Sequence, residues 1–266
     1  MAAMPGQAHE VLLHGGFTNA GRVTRVGDTV RRPWRSTSPA THALLEHLER
    51  EGFDGAPRFL GMDESGRETL AYIPGEAAIE PTPAWALTDE ALVSVAELLR
   101  RYHDAAASFD PRGYAWPAAV PAAFRGSLVS HNDPNLDNVV FVDGRAVALI
   151  DFDLAGPGSA VWDVACAARL WAPLREERDV PASLRGRTLA RLRLFVDAYG
   201  LPRGERERVV DALAHAHAWC YDIVRDAVAA GHETFGRHWR EVGRARAERT
   251  RRWLVGHGDA MRAALR

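Results

Sequence analysis

The chain has 266 residues, 47% of them apolar and 26% charged, with a net charge of −2, the composition expected of a soluble globular protein. All 33 basic residues are arginine. Without lysine there can be no Walker-type phosphate loop, no pyridoxal Schiff base and no ordinary strand-three kinase lysine, so any cation that handles phosphate must be arginine or metal. No apolar run reaches 18 residues and the first ten residues lack the pattern of a secretory signal, which points to a cytoplasmic protein without membrane association.

The first third alternates like strands with tight turns: Val11 to His14, Ala20 to Val26, and Thr29 to Pro33, separated by Gly15-Gly16 and Gly27-Asp28. A helix over Thr41 to Glu51 follows, with Leu44, Leu45 and Leu48 as its apolar stripe and Gly52 ending it. Strand-like runs at Arg58 to Met62 and Glu68 to Ile73 come next, and Pro74-Gly75 breaks the pattern. Thr88 to Ala107 has the periodicity of a long amphipathic helix. Short strands are expected at Leu128–Ser130, Val139–Val142 and Ala146–Ile150, the last two joined by Asp143-Gly144, a strong two-residue hairpin signal. From Ala160 onward the pattern is helical, interrupted near Pro181, Gly200 and Gly231. These elements make an α+β chain in two lobes, a small antiparallel-sheet lobe with one helix over 1–73 and a larger, mainly helical lobe over 74–266. Cys166 and Cys220 fall in helical patterns without metal or redox spacing and are expected to be free thiols.

The chemistry is concentrated in Leu128 to Val142 and in the return strand that ends on Ile150-Asp151-Phe152-Asp153. His131, Asp133 and Asn138 share one loop, and Asp151 comes back beside it through the hairpin. Phosphoryl transfer needs such a set: one carboxylate facing a nucleophilic hydroxyl, and a carboxylate with an amide oxygen to hold Mg²⁺ on the phosphates. Three of the chain's four asparagines lie between positions 132 and 138, so the loop has a particular use for the amide. His131, Asp133, Asp151 and Asp153 could also serve a two-metal hydrolase, but no second histidine lies nearby at a ligand spacing.

Leu128 to Ala165 resembles the aminoglycoside-phosphotransferase family of kinase-like enzymes, which includes antibiotic, choline and homoserine kinases. The similarity comprises the catalytic loop, the Ile-Asp-Phe motif, Gly158 and Asp163-Val-Ala. Gly16-Phe-Thr-Asn19, Val30-Arg-Arg-Pro and Leu98 to His103 add weaker matches along the chain. The resemblance implies a bilobal protein-kinase-like fold and a small-molecule kinase that uses ATP or GTP with Mg²⁺ on a hydroxyl acceptor. It makes Asp133 the base, Asn138 and Asp151 the metal ligands, and His131, Asp153 and Asp163 structural supports. It assigns the nucleotide to Gly15, Gly16, Thr18, Asn19, Arg31, Tyr72 and Ile73, with Arg32 as the phosphate-pairing cation if the strand register differs by one.

There are two departures from the family pattern. Asn132 stands where the family usually has glycine, and Thr41 falls where it has the helix glutamate that partners the strand-three cation, leaving Glu46 or Glu49 nearby. The missing glutamate supports a second reading, a nucleotide-binding pseudokinase-like module.

Asp211, His215, Trp219, Asp222 and Asp226 recur at helical spacing and form the best acceptor-site face, His215, Trp219, Asp222 and Asp226 above all. Its acids would suit an aminated acceptor. Residues 165–266 nevertheless carry +7 against −9 for the rest, which disfavours a polycationic one. The arginines interleave with Glu and Leu and form no basic stripe, so no nucleic acid is expected. Nothing in the chain points to an obligate protein partner.

Overall fold

The computed structural model describes residues 9–13, 21–79, 81–117, 119–231, 239 and 243–266. Gly15, Gly16, Thr18 and Asn19 of the expected nucleotide turn lie outside these residues. Strands β1 (Glu10–Leu12), β2 (Thr24–Val26), β3 (Thr29–Pro33), β4 (Phe59–Met62) and β5 (Arg67–Ala71) form one antiparallel sheet in the order β1-β2-β3-β5-β4. Helix α1 (Ser38–Arg50) follows β3 and buries Leu44, Leu45 and Leu48. In β3 strand alternation buries Arg32.

The connector of residues 72–75 leads into β6 (Glu76–Ala77), which pairs with Val140 and Phe141 and not with the five-stranded sheet. Gly75 is required there: its φ is 146°, and a Cβ would meet the Phe141 carbonyl at 2.6 Å. Helix α2 (Asp89–Ala106) is capped by Thr88, whose Oγ1 accepts the Ala91 N–H at 3.1 Å. Its stripe of Leu92, Val95, Leu99 and Tyr102 is fully buried and forms the centre of the core.

Strands β7 (Leu128–Ser130), β8 (Val139–Val142), β9 (Arg145–Leu149) and β10 (Gly156–Gly158) carry the catalytic segment. Asp143 and Gly144 both have positive φ, 50° and 75°, as a primed hairpin turn demands. The other described α-helices are α3 (Ala160–Trp171), α4 (Thr188–Tyr199), α5 (Arg203–Ala229), α6 (Arg244–Gly256) and α7 (Gly258–Leu265). None of the described helices is long and apolar enough to cross a membrane. Cys166 and Cys220 are free thiols.

Candidate active site

The catalytic loop leaves β7 at Ser130, and its first turn is held from α3. Ser159 caps that helix, accepting the Trp162 N–H at 3.3 Å, and this sets Asp163 in the first turn with its carboxylate towards the loop. Asp163 is fully buried and accepts the backbone N–H groups of His131 at 2.7 Å and Asn132 at 2.8 Å. It also accepts from His103 Nε2 at 2.9 Å, while His103 Nδ1 accepts the Tyr199 hydroxyl at 2.7 Å. Burial would raise the Asp163 carboxyl, but His103 and the backbone donor outweigh it and hold the group below its ordinary range. Asp163→Ala would strand two buried backbone donors and a buried histidine. A loss of about 3–5 kcal/mol in urea-unfolding free energy is expected, against little change for a surface acid such as Asp259→Ala.

Asn132, the residue in place of glycine, has a φ of 68°. Asparagine tolerates this left-handed conformation better than most residues, and here both ends of its amide are used. Its Nδ2 donates to the Leu154 carbonyl at 2.7 Å and its Oδ1 accepts from Trp162 Nε1 at 2.9 Å. Gly158 backs the same loop, since a Cβ there would lie 2.2 Å from Ser130 Oγ.

His131 is buried between two fixed partners. Its Nε2 bonds to the Ile150 carbonyl at 3.0 Å and its Nδ1 accepts the Asp133 N–H at 3.3 Å, so the Nε2–H tautomer is selected. Burial pushes its pKa below the ordinary histidine value, and the neutral ring braces the loop.

Asp133 and Asn138 meet across the loop. Asn138 Nδ2 donates to the Asp133 carbonyl at 2.9 Å and to its Oδ2 at 3.0 Å, leaving Asn138 Oδ1 as the atom offered to a cation. The Ile150 N–H donates to the Asn138 carbonyl at 2.9 Å and so ties the end of β9 to the loop, setting Asp151 beside Asn138. Asp151 has a φ of 59°, and its Oδ1 is buried without a hydrogen-bond partner. The orphaned carboxylate oxygen of Asp151 and the amide oxygen of Asn138, on segments joined by the Ile150–Asn138 bond, are the kinds of donor that fit a hard divalent cation. Burial, and then the Asp151 charge, push the Asp133 carboxyl up to about 7. Burial and Asp153 likewise raise Asp151.

The cation that faces this cluster is Arg32, which corrects the expectation for Arg31. Arg31 projects from the other face of β3, with Nε 3.7 Å from Asp63. Arg32 Nη1 lies 2.7 Å from Asp153 Oδ1 and 4.0 Å from Asp151 Oδ1, and its Nε donates to Glu68. Arg35 adds a second contact to Asp153 at 3.4 Å.

The missing helix glutamate is replaced from the neighbouring strand. Glu68 stands directly opposite Arg32 in the β3–β5 register and is fully buried. Its Oε1 also receives His42 of α1 at 3.1 Å, and the His42 ring stacks on Phe59 at 3.7 Å. Burial would raise the Glu68 carboxyl, but bonding to His42 and the charge of Arg32 hold it at about 2. Thr41 is buried, Glu46 is exposed, and Glu49 pairs with Arg58. The structure thus adds Glu68 and His42 to the residues that sequence reasoning singled out.

Tyr72 and Ile73 lie in the connector, where the Tyr72 ring sits under the Arg25 guanidinium at 3.7 Å. On α5, His215 packs against Phe124, and Trp219 packs edge-on to Trp162 at 5.7 Å, with its Nε1 donating to the Ala119 carbonyl. Asp222 and Asp226 are exposed and both pair with Arg225, and Asp211 pairs with Arg262. The acids expected to line an amine site are therefore neutralised by arginines.

Residues 114–195, from before the catalytic loop to the middle of α4, match the model of the phosphotransferase enzyme family (APH). The trifolitoxin immunity protein of Rhizobium leguminosarum bv. trifolii is 34% identical over 269 residues, covering 96% of this chain and 98% of the relative. Among solved structures, a choline/ethanolamine kinase family protein from Mesorhizobium loti superposes with a TM-score of 0.63 at 17% identity, over 97% of this chain and 94% of the other. The gentamicin complex of APH(2")-IIa gives 0.56 at 13% identity, over 100% and 99%. The GDP complex of aminoglycoside 2'-phosphotransferase-IIIa gives 0.53 at 14%, over 96% and 92%. These likenesses show the bilobal α+β fold of protein-kinase-like enzymes, and together with the family match and the full-length relative they establish that the chain belongs to the aminoglycoside-phosphotransferase family and is a phosphotransferase.

Proposed function

We propose that this phosphotransferase moves the γ-phosphoryl group of ATP or GTP to a hydroxyl of a small molecule, an antibiotic, an amino alcohol or a sugar. The observation that carries the reading is the convergence of Asp133, Asn138 and Asp151 in one partly buried cluster, with Arg32 beside Asp151. Asp133 accepts the acceptor hydroxyl proton as the new oxygen–phosphorus bond forms and the bond to the leaving nucleoside diphosphate breaks. Arg32 takes the place of the absent lysine at the phosphates, where its fork can pair two oxygens. Asn138 and Asp151 would hold Mg²⁺, which when bound neutralises phosphate charge. His131 and Asp163 keep the loop in place, and Asp153 keeps Arg32 turned towards the phosphates.

The pseudokinase-like alternative rested on the missing helix glutamate, and the buried pair of Arg32 and Glu68 removes that motive. The test is nucleoside-triphosphate consumption over a panel of hydroxyl acceptors, with and without magnesium. Asp151→Asn is expected to weaken magnesium-dependent nucleotide binding by at least about tenfold, because a neutral amide cannot replace an anionic ligand. Unchanged Mg-ATP affinity in that variant would remove Asp151 from the metal site, and the absence of any acceptor-dependent turnover would favour the binding module.

A further inference from the structure

Arg32 gives Glu68 only one of its donors. Its Nε donates to Glu68 Oε2 and its Nη1 to Asp153 Oδ1 at 2.7 Å, while Nη2 makes no hydrogen bond among the described residues. Nor is that nitrogen one of the unpaired side-chain atoms that the fold seals from solvent, as Nη1 of neighbouring Arg31 is. It is an open charged donor on the guanidinium that meets Asp151 and Asp153.

Elsewhere in the chain a carboxylate takes this nitrogen together with Nε. Arg249 gives Asp179 its Nε at 2.9 Å and its Nη2 at 2.8 Å, and Arg112 gives Asp110 its Nε at 2.8 Å and its Nη2 at 2.7 Å. Two parallel charge-assisted bonds are the stronger arrangement, the more so away from water. Glu68 is fully buried and stands directly across the strand pair from Arg32, where the same fork would be expected. Its second oxygen is taken instead by α1, whose His42 Nε2 lies 3.1 Å from Glu68 Oε1. An ionised carboxylate only accepts, so the His42 ring carries a proton on Nε2 and donates it. Phe59 of β4 holds that ring in place, stacked at 3.7 Å with an interplanar angle of 12°.

We propose that His42 is a positioning residue for the nucleotide: by holding Glu68 Oε1 it keeps Glu68 from closing on both Nε and Nη2 of Arg32, and so leaves Nη2 for a phosphate oxygen. The inference rests on the reading of Arg32 as the phosphate-pairing cation and adds what controls it, the seat of α1 on the sheet. Without His42 the Glu68 carboxylate regains a free oxygen, turns onto Nη2 and competes with the phosphate for it. The lobe then loses one hydrogen bond and gains another, so nucleotide affinity falls more than stability does.

The test measures binding of magnesium with a non-hydrolysable ATP analogue by calorimetry on the full chain, with urea unfolding alongside. His42→Phe keeps a ring against Phe59 and removes the donor. His42→Met also lacks the donor and preserves the comparison if one of the two folds poorly. Both are expected to bind the nucleotide about three- to tenfold more weakly, part of the worth of one charge-assisted hydrogen bond. His42→Gln, which offers an amide N–H, should recover most of the loss. In an Arg32→Gln background His42→Phe should change affinity by less than about 1.5-fold, because the contested donor is gone. A loss of equal size in both backgrounds would make His42 a prop of the lobe and overturn the proposal. Wild-type affinity in both donorless variants, or a His42→Gln variant no better than His42→Phe, would overturn it too. If Arg32→Gln bound nucleotide like the wild type, the phosphate role of Arg32 would fall and this inference with it. A weakened Arg32→Gln with His42 uncoupled from it would sink the inference alone.

Discussion

Asp133→Asn is expected to lower kcat by about 10²- to 10⁴-fold while Mg-ATP affinity stays within about threefold of the wild type. The carboxylate receives the acceptor proton and makes no demand on the nucleotide, so the loss belongs to the chemical step. A folding defect would give the same low activity, and the electrostatics of the site separate the two. In the metal-free protein burial and the Asp151 charge raise the Asp133 carboxyl from 3.8 to about 7. A folded-state value above the unfolded one means that the stabilising contribution is complete below about pH 3.8 and is lost as pH rises through about 7. At pH 8 the wild type therefore carries an ionised, poorly solvated carboxylate that the asparagine variant lacks. Asp133→Asn should be more stable than the wild type in chelator at pH 8, by on the order of 1–3 kcal/mol, and about equal to it near pH 4. A variant that is inactive and also less stable at pH 8 would indicate a structural role, and wild-type kcat would remove Asp133 from catalysis.

The sequence made the elements legible where one period dominated. The stripes of α1 and α2 lie within a few residues of their expected bounds because Leu44, Leu48, Val95 and Leu99 repeat at helical spacing and have no competing use. The loop from His131 to Asn138 could be read because its polar residues lie close together and return to Asp151 through a single hairpin. The partner of the strand-three cation could not be read in that way. Glu68 lies 36 residues from Arg32, and only the pairing of β3 with β5 brings them opposite one another. The one local signal was an acid in the Arg67–Ala71 strand at a position that alternation turns inwards. Asn132 looked like a departure from a glycine pattern, and its two side-chain bonds to Leu154 and Trp162 explain why an amide serves there.

Arg32→Ala is expected to weaken Mg-ATP binding by about 10- to 100-fold, while Arg31→Ala changes it less than about threefold. The two neighbours differ in the face of β3 they occupy, Arg31 near the turn acid Asp63 and Arg32 inside with Glu68, Asp151 and Asp153. Arg32→Ala also leaves Glu68 buried without its counter-charge, which should cost about 3–5 kcal/mol of stability. Because an unstable protein also binds nucleotide poorly, the decisive variant changes both partners. Arg32→Gln with Glu68→Gln removes the two charges together, so the folding loss should shrink to within about 1–2 kcal/mol of the wild type. Affinity for Mg-ATP should stay low in this double variant, since no cation faces the inner phosphates. Glu68→Gln alone should give an intermediate result, because Arg32 keeps Asp153 but loses the bond that fixes its Nε. If affinity returned with stability in the double variant, Arg32 would be a structural residue whose charge serves only Glu68, and phosphate pairing in this lysine-free chain would have to come from another arginine.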